Sequence, residues 1–175
     1  MVTSVQQEAS RPMVHQRQPD ETTCWVAVVA MLADYPLEQL LAEIREKFGK
    51  PWQEMPANDL SNTGRAQVHR WVERRFGLDL TPPVSIKTDD QMALYLSGLA
   101  RVAKMYFLPS SRGAISMIFS RGVVQNDGVR YYYPGHIVAY SDGIIFDPSH
   151  RKPISLAQFR HVYNRWAITQ MWEVR

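Results

Sequence analysis

A chain of 175 residues, 45% apolar and 21% charged, has the make-up of one globular domain with a real core and little room for a second. Its formal charge of +3 comes without any block of five or six like charges, so Arg70, Arg74 and Arg75 read as the wet face of a helix and not as a nucleic-acid stripe. One cysteine excludes an internal disulfide framework.

The longest apolar run, Trp25 to Ala33, falls well short of the ~20 residues that cross a bilayer. Met1 to Gln16 is polar and Gln-rich, with no apolar stretch like a secretory signal. The expectation is a monomer that is cytoplasmic, or exported by a route that ignores such signals. Neither nucleic acid nor membrane is expected as a partner.

Residues 1–16 read as a flexible tail and 17–175 as a single domain, helical over 22–100 and sheet-forming over 101–175. Thr22 or Thr23 can cap a first helix from about Cys24 to Asp34, whose near-continuous apolar character makes it central. Pro36 ends it. Leu37, Leu40, Leu41, Ile44 and Phe48 then keep the i, i+3, i+4, i+7 spacing of an amphipathic helix, closed by Gly49 and Pro51. Val68, Trp71, Val72 and Phe76 mark a third helix between about Asn62 and Phe76, stopped by Gly77. After the stiff connector Thr81-Pro82-Pro83, Asp89 or Asp90 starts a fourth that runs to about Leu99.

The texture changes near Arg101. Val102 to Leu108, Ala114 to Phe119, Val129 to Tyr133, Ile137 to Tyr140, Ile144 to Phe146 and Ile168 to Val174 are short runs rich in β-branched and aromatic residues. Helices first and strands second is the pattern of an α+β domain with an antiparallel sheet.

Three features carry chemistry. Cys24 stands at the start of the first helix, where unpaired N–H groups and the helix dipole favour a thiolate. Gly135-His136 opens a strand, and Phe146-Asp147-Pro148 follows a hairpin. Asp142-Gly143 between two apolar runs is a two-residue turn signal. It pairs Ser141 with Ile144 and sets His136 and Asp147 on one face, roughly 7 Å or less apart at Cβ. Asp147 can then orient one imidazole nitrogen and turn the other toward Cys24.

A free thiol with a pKa near ~8.5 is mostly protonated at neutral pH, so a nearby imidazole is what makes the attacking form and later protonates a leaving amine. The backbone N–H of Cys24 and the side-chain amide of Gln18 are candidate donors to an oxyanion. No close pair of Cys or His has metal-ligand spacing and no Gly-rich phosphate loop is present, so no metal and no cofactor is expected. His69, His150 and His161 are expected at the surface. Trp25 and Tyr131-Tyr132-Tyr133 are open between lining a substrate groove and packing in the core.

Gln18 six positions before Cys24-Trp25 at a helix start, with a late Gly135-His136 and Asp147-Pro148, resembles the papain-like cysteine peptidases. The nearest resemblance is to their compact bacterial branch, which includes bacteriocin-leader peptidases and papain-like effector peptidases of plant-pathogenic bacteria. The resemblance implies Cys24 as nucleophile, His136 as base, Asp147 as third member and Gln18 as oxyanion-hole residue. It also implies a two-lobe fold, helices against a small antiparallel sheet with the cleft between, and a protein or peptide substrate. The same thiol site would equally serve acyl transfer, deamidation or cell-wall amide cleavage. A retired scaffold kept as a binding module is the non-enzymatic alternative.

Overall fold

A computed structural model describes residues 11–55, 64–80, 98–119, 123–124, 130–131 and 135–174. The elements are α1 (Cys24–Leu32), α2 (Leu37–Phe48), α3 (Arg65–Phe76), β1 (Arg112–Phe119), β2 (Val123–Val124), β3 (Arg130–Tyr131), β4 (Gly135–Ser141), β5 (Ile144–Phe146), β6 (Ile154–Ser155), α4 (Leu156–Val162) and β7 (Trp166–Glu173). Five strands form one antiparallel sheet in the order β6-β5-β4-β1-β7, and β2 pairs with β3 apart from it. The chain is α+β, with α1 to α3 ahead of the sheet and α4 between its last two strands.

The sheet is covered on both faces, and the alternation of side chains along each strand sorts them. Ala114, Ile137, Ala139 and Phe146 join the core that holds α1, α2 and α3. Ile115, Met117, Val138, Tyr140 and Ile145 join a second core with Phe159 of α4 and Tyr163. Every residue of α1 from Val26 to Leu32 is buried, as its unbroken apolar run requires. Ala114 and Ala139 lie directly opposite one another on β1 and β4, and a pair of methyl groups leaves room for α1 to approach the sheet. The C-terminal carbonyls of α1 are met by Arg112 of β1, whose guanidinium donates to Met31 O at 3.2 Å and Leu32 O at 2.9 Å. That bond is the tie between helix and sheet.

The Asp142-Gly143 turn has φ of 49° and 82°, the pair of positive angles that suits the right-handed twist of the flanking strands. The register is the one its length dictates, Ser141 with Ile144, Tyr140 with Ile145 and Ala139 with Phe146. On β1, a Cβ at Gly113 would lie 2.0 Å from Trp172 O and 2.5 Å from the Tyr140 hydroxyl. Only glycine lets β7 and the Tyr140 side chain close on that point.

Several expectations are corrected. Val102 to Leu108 is not a strand: Val102–Lys104 is a 3-10 turn followed by irregular chain, its apolar residues Val102 and Met105 being buried from that turn instead. The sequence reading passed over α4 and β6. Their signal is Ser155-Leu156-Ala157-Gln158, a capping box in which the Ser155 hydroxyl accepts from Gln158 N while the Gln158 side chain accepts from Ser155 N. Residues 11–16, placed in the tail by the sequence, pack on the body: Met13 is buried, and Gln16 bonds Tyr35 O and Leu37 N. The expected fourth helix over 89–97, the connector 81–83, Tyr132, Tyr133 and residues 1–10 lie outside the described residues. No single helix among the described residues is long and apolar enough to cross a membrane.

Candidate active site

Cys24 is the first residue of α1 and is half-buried with a free thiol. The loop before it is built by Asp20. Asp20 Oδ1 accepts from Thr22 N at 2.9 Å, the Thr22 hydroxyl at 2.7 Å and the Thr23 hydroxyl at 2.8 Å, and Oδ2 accepts from Gln53 Nε2 at 2.8 Å. Burial works against charge on Asp20, yet the bonds from Gln53, Thr22 and Thr23 prevail and lower its pKa to about 2. Thr23 occupies the N-cap position but its side chain caps nothing; the hydroxyl is turned back to Asp20. This corrects the expectation that Thr22 or Thr23 would cap the helix. A carboxylate two or three residues away is the stronger acceptor for both hydroxyls.

Trp52, in the 3-10 turn Trp52–Glu54, pins the same loop by donating its indole N–H to Thr22 O at 2.7 Å. It stacks on Trp25 at 5.4 Å between ring centroids, and Trp25 stacks on His69 at 4.1 Å. Trp25 therefore packs as part of an aromatic pile beside Cys24. His69 is not at the surface as expected: burial first, then the charge of Arg65, holds its pKa down at about 4, so the ring in the stack is neutral.

On the other side, His136 is the second residue of β4 and shares the sheet face of Val138 and Tyr140. Its Nε2 donates to Asp147 Oδ1 at 2.8 Å, which leaves Nδ1 as the nitrogen for the thiol. Cys24 is within hydrogen-bonding reach of the imidazole. Burial opposes charge on His136, but the bond to Asp147, the bond to Cys24 and the charges of both outweigh it and raise the pKa to about 9. The rings of Tyr163 and Trp166, with centroids at 5.8 and 6.4 Å, flank the imidazole.

Asp147 is 0% exposed and is the best-satisfied group in the site. Besides His136, Oδ1 accepts from Ser149 N at 2.9 Å and the Ser149 hydroxyl at 2.7 Å. Oδ2 accepts from His150 Nδ1 at 2.8 Å and from the Tyr163 hydroxyl. Although burial pushes the other way, these bonds, led by that from His136, hold the carboxyl well below the usual range. The phenol of Tyr163 is pushed up by burial and by the adjacent Asp147 charge, so it stays a donor. His150 was expected at the surface; it is a direct partner of this carboxylate.

Gln18 joins the two sides. Its backbone N–H donates to Pro148 O at 2.8 Å, fastening the loop before Cys24 to the residue after Asp147. Its side-chain Nε2 donates to Asp20 O at 2.8 Å, while Oε1 is buried with no partner. The amide nitrogen thus has one N–H engaged and a second to offer. The first-turn N–H groups of α1, including that of Cys24, have no partner inside the helix.

Asp147 and His136 accordingly form a hydrogen-bonded pair with Cys24 beside the imidazole, and Gln18 fastens the loop before Cys24 to the residue after Asp147. The sequence reading missed Asp20, Ser149, His150 and Tyr163. The first two have a legible signal, Asp20-Glu21-Thr22 and Asp147-Pro148-Ser149, each an Asp with a hydroxyl residue two positions on, the pattern of an Asx turn. Among the described residues no group of three His, Cys, Asp or Glu side chains is arranged to hold a metal ion. Compared with protein-family models, with curated proteins and with solved structures, the chain matches none.

Proposed function

We propose that this protein is a papain-like cysteine peptidase that hydrolyses a peptide or isopeptide bond through a thioester on Cys24. The observation that carries the reading is His136, which meets a buried carboxylate on one nitrogen and has the only cysteine of the chain within reach of the other. The helical and sheet parts correspond, in this reading, to the two lobes of that fold, with the cleft where α1 begins.

The chemistry follows from the contacts. His136 takes the thiol proton, and the imidazolium is stabilised by Asp147. The thiolate attacks the substrate carbonyl, and the oxyanion is received by the Cys24 N–H and the second N–H of Gln18. Each such donor supplies about 3 kcal/mol in comparable sites. Collapse expels the amine, which takes its proton from His136. Water then attacks the thioester with His136 again as base, releasing the acid and restoring the thiol. Asp147 stays ionised throughout, holding Nε2–H so that Nδ1 faces the sulfur.

The test has two parts. Iodoacetamide should label Cys24 faster than free cysteine, and His136→Ala should remove that advantage. A profile of new N-terminal peptides in an extract treated with wild type against Cys24→Ala should show cuts made only by wild type. Labelling no faster than free cysteine, unaltered by His136→Ala, would sink the enzyme reading. Rapid labelling without cuts, but with a one-dalton gain or a crosslink on a substrate, would replace hydrolysis by deamidation or acyl transfer at the same thiol.

A further inference from the structure

Beyond the carboxylate of Asp147, on the outer side of His150, lies an open groove of about 710 Å³ between the 150–154 segment and α4. Its apolar part is formed by Ile154, which is buried, and Val162, which is 47% exposed at the end of α4. A β-branched side chain left that open on a helix otherwise packed on Phe159 is unpartnered apolar surface. Its rim is cationic: Arg151 and Lys152 line it and are exposed, His161 stands beside them, and no Asp or Glu is among the lining residues. His150 belongs to both places. It lines the groove, and its Nδ1 lies 2.8 Å from Asp147 Oδ2. The main chain of His150 is also held, since His15 Nε2 lies 2.9 Å from His150 O.

We propose that this groove binds an acidic peptide segment, with an apolar side chain seated against Ile154 and Val162 and carboxylates on Arg151 and Lys152. Charge complementarity selects the occupant: a rim of two permanent cations, two imidazoles and no anion repels a basic chain and attracts an acidic one. Two Lys and Arg are fewer than the four to eight that typify recognition of anionic lipid. They would also neutralise only about two phosphates of a nucleic acid, too few for tight binding. A concave apolar seat between the cations suits a side chain better than either. Because His150 joins the groove to Asp147, the segment is placed as part of the substrate; that assignment alone rests on the peptidase reading, whereas the binding does not.

The experiment separates the two. Full-length Cys24→Ala protein, which cannot turn over, is titrated into a fluorescein-labelled peptide alternating glutamate and leucine, and anisotropy is read at low and at physiological salt. Binding is expected, weakening with salt. Arg151→Glu with Lys152→Glu should weaken it at least about tenfold, since two attractive contacts become repulsive. Val162→Ser should weaken it less, and a lysine-leucine peptide should not bind. Absence of binding, binding indifferent to the charge reversal, or better competition by anionic phospholipid vesicles or by single-stranded RNA than by unlabelled peptide would overturn the proposal. If the acidic peptide binds while Cys24 of the wild type proves inert to iodoacetamide, the groove stands and the peptidase reading falls. The reverse pair of results does the opposite.

Discussion

Cys24 and His136 are held by two copies of one local device in two different settings. Asp20-Glu21-Thr22 and Asp147-Pro148-Ser149 are both Asx turns, in which the carboxylate takes the N–H and the hydroxyl of the residue two ahead. Asp20 adds Thr23 and Gln53; Asp147 adds His136, His150 and Tyr163. The difference is water. Asp20 is partly exposed and its donors are neutral hydroxyls and amides, so solvent competes for the bonds from Thr22 and Gln53. Asp147 is fully buried, and an imidazolium completes its neutralisation. Equal geometry therefore carries unequal energy, because the loss of a donor in a dry site leaves a group that nothing else can satisfy. His136 is fixed firmly and the loop before Cys24 only moderately.

The largest test of that contrast is Asp147→Asn. The amide keeps the shape but reverses the tautomer of His136, and turnover should fall by about 10⁴-fold. In the same variant the His136 titration, followed by NMR, should drop well below about 9, since the bond and the charge of Asp147 are lost while burial still opposes protonation. A midpoint unmoved by the substitution would break the comparison.

Asp147→Ala comes next, as a matter of stability. Removing one member of a buried, charged cluster costs roughly 3–5 kcal/mol, readable from chemical denaturation. Its pH dependence has a definite sign. The Asp147 pKa is depressed, so its contribution is complete above the ordinary carboxylate range and disappears in strong acid. The His136 pKa is raised, so its contribution is complete below 6.5 and is lost as pH climbs through about 9. Wild-type stability should therefore sag on both sides, and in the alanine variant the alkaline sag should vanish.

Asp20→Ala should cost less, about 1–2 kcal/mol, the range of a lost helix cap. The contribution of Asp20 is complete above 3.8 and fades as pH falls through about 2. Thermal melts of the two alanine variants side by side give the ratio directly; a cost for Asp20 equal to that for Asp147 would show that burial does not set the difference. Smallest is Trp52→Phe, which keeps the stack on Trp25 but forfeits the bond to Thr22 O. About 1 kcal/mol is expected, together with slower alkylation of Cys24 as the loop loosens.

What was legible in the chain follows the range of the interactions. The Asp142-Gly143 turn fixes its own register within two residues, so the meeting of His136 with Asp147 could be read before any coordinates. Leu37 to Phe48 announced α2 by spacing alone. By contrast, Val102 to Leu108 has strand composition but lies on a turn, because composition reports burial as readily as extension. Thr23 looked like a cap until Asp20, three residues back, competed for its hydroxyl. Tyr163 could not be foreseen as a partner of Asp147, since α4 brings it there and its seven residues are too few to show a period; His150, only three positions on, is brought back by a turn that its own N–H closes on Asp147 O. The two Asx turns were readable in principle.

One main-chain bond has a reach larger than its length. The amide proton of Gln18, held by Pro148 O, is the point where the two turns are riveted. Its exchange with deuterium is then a clock for their parting, slow while both loops stay seated and faster when either lets go. Loosening the rivet from the Asp147 end or from the Asp20 end should hasten the same signal, so a single resonance records the health of both halves.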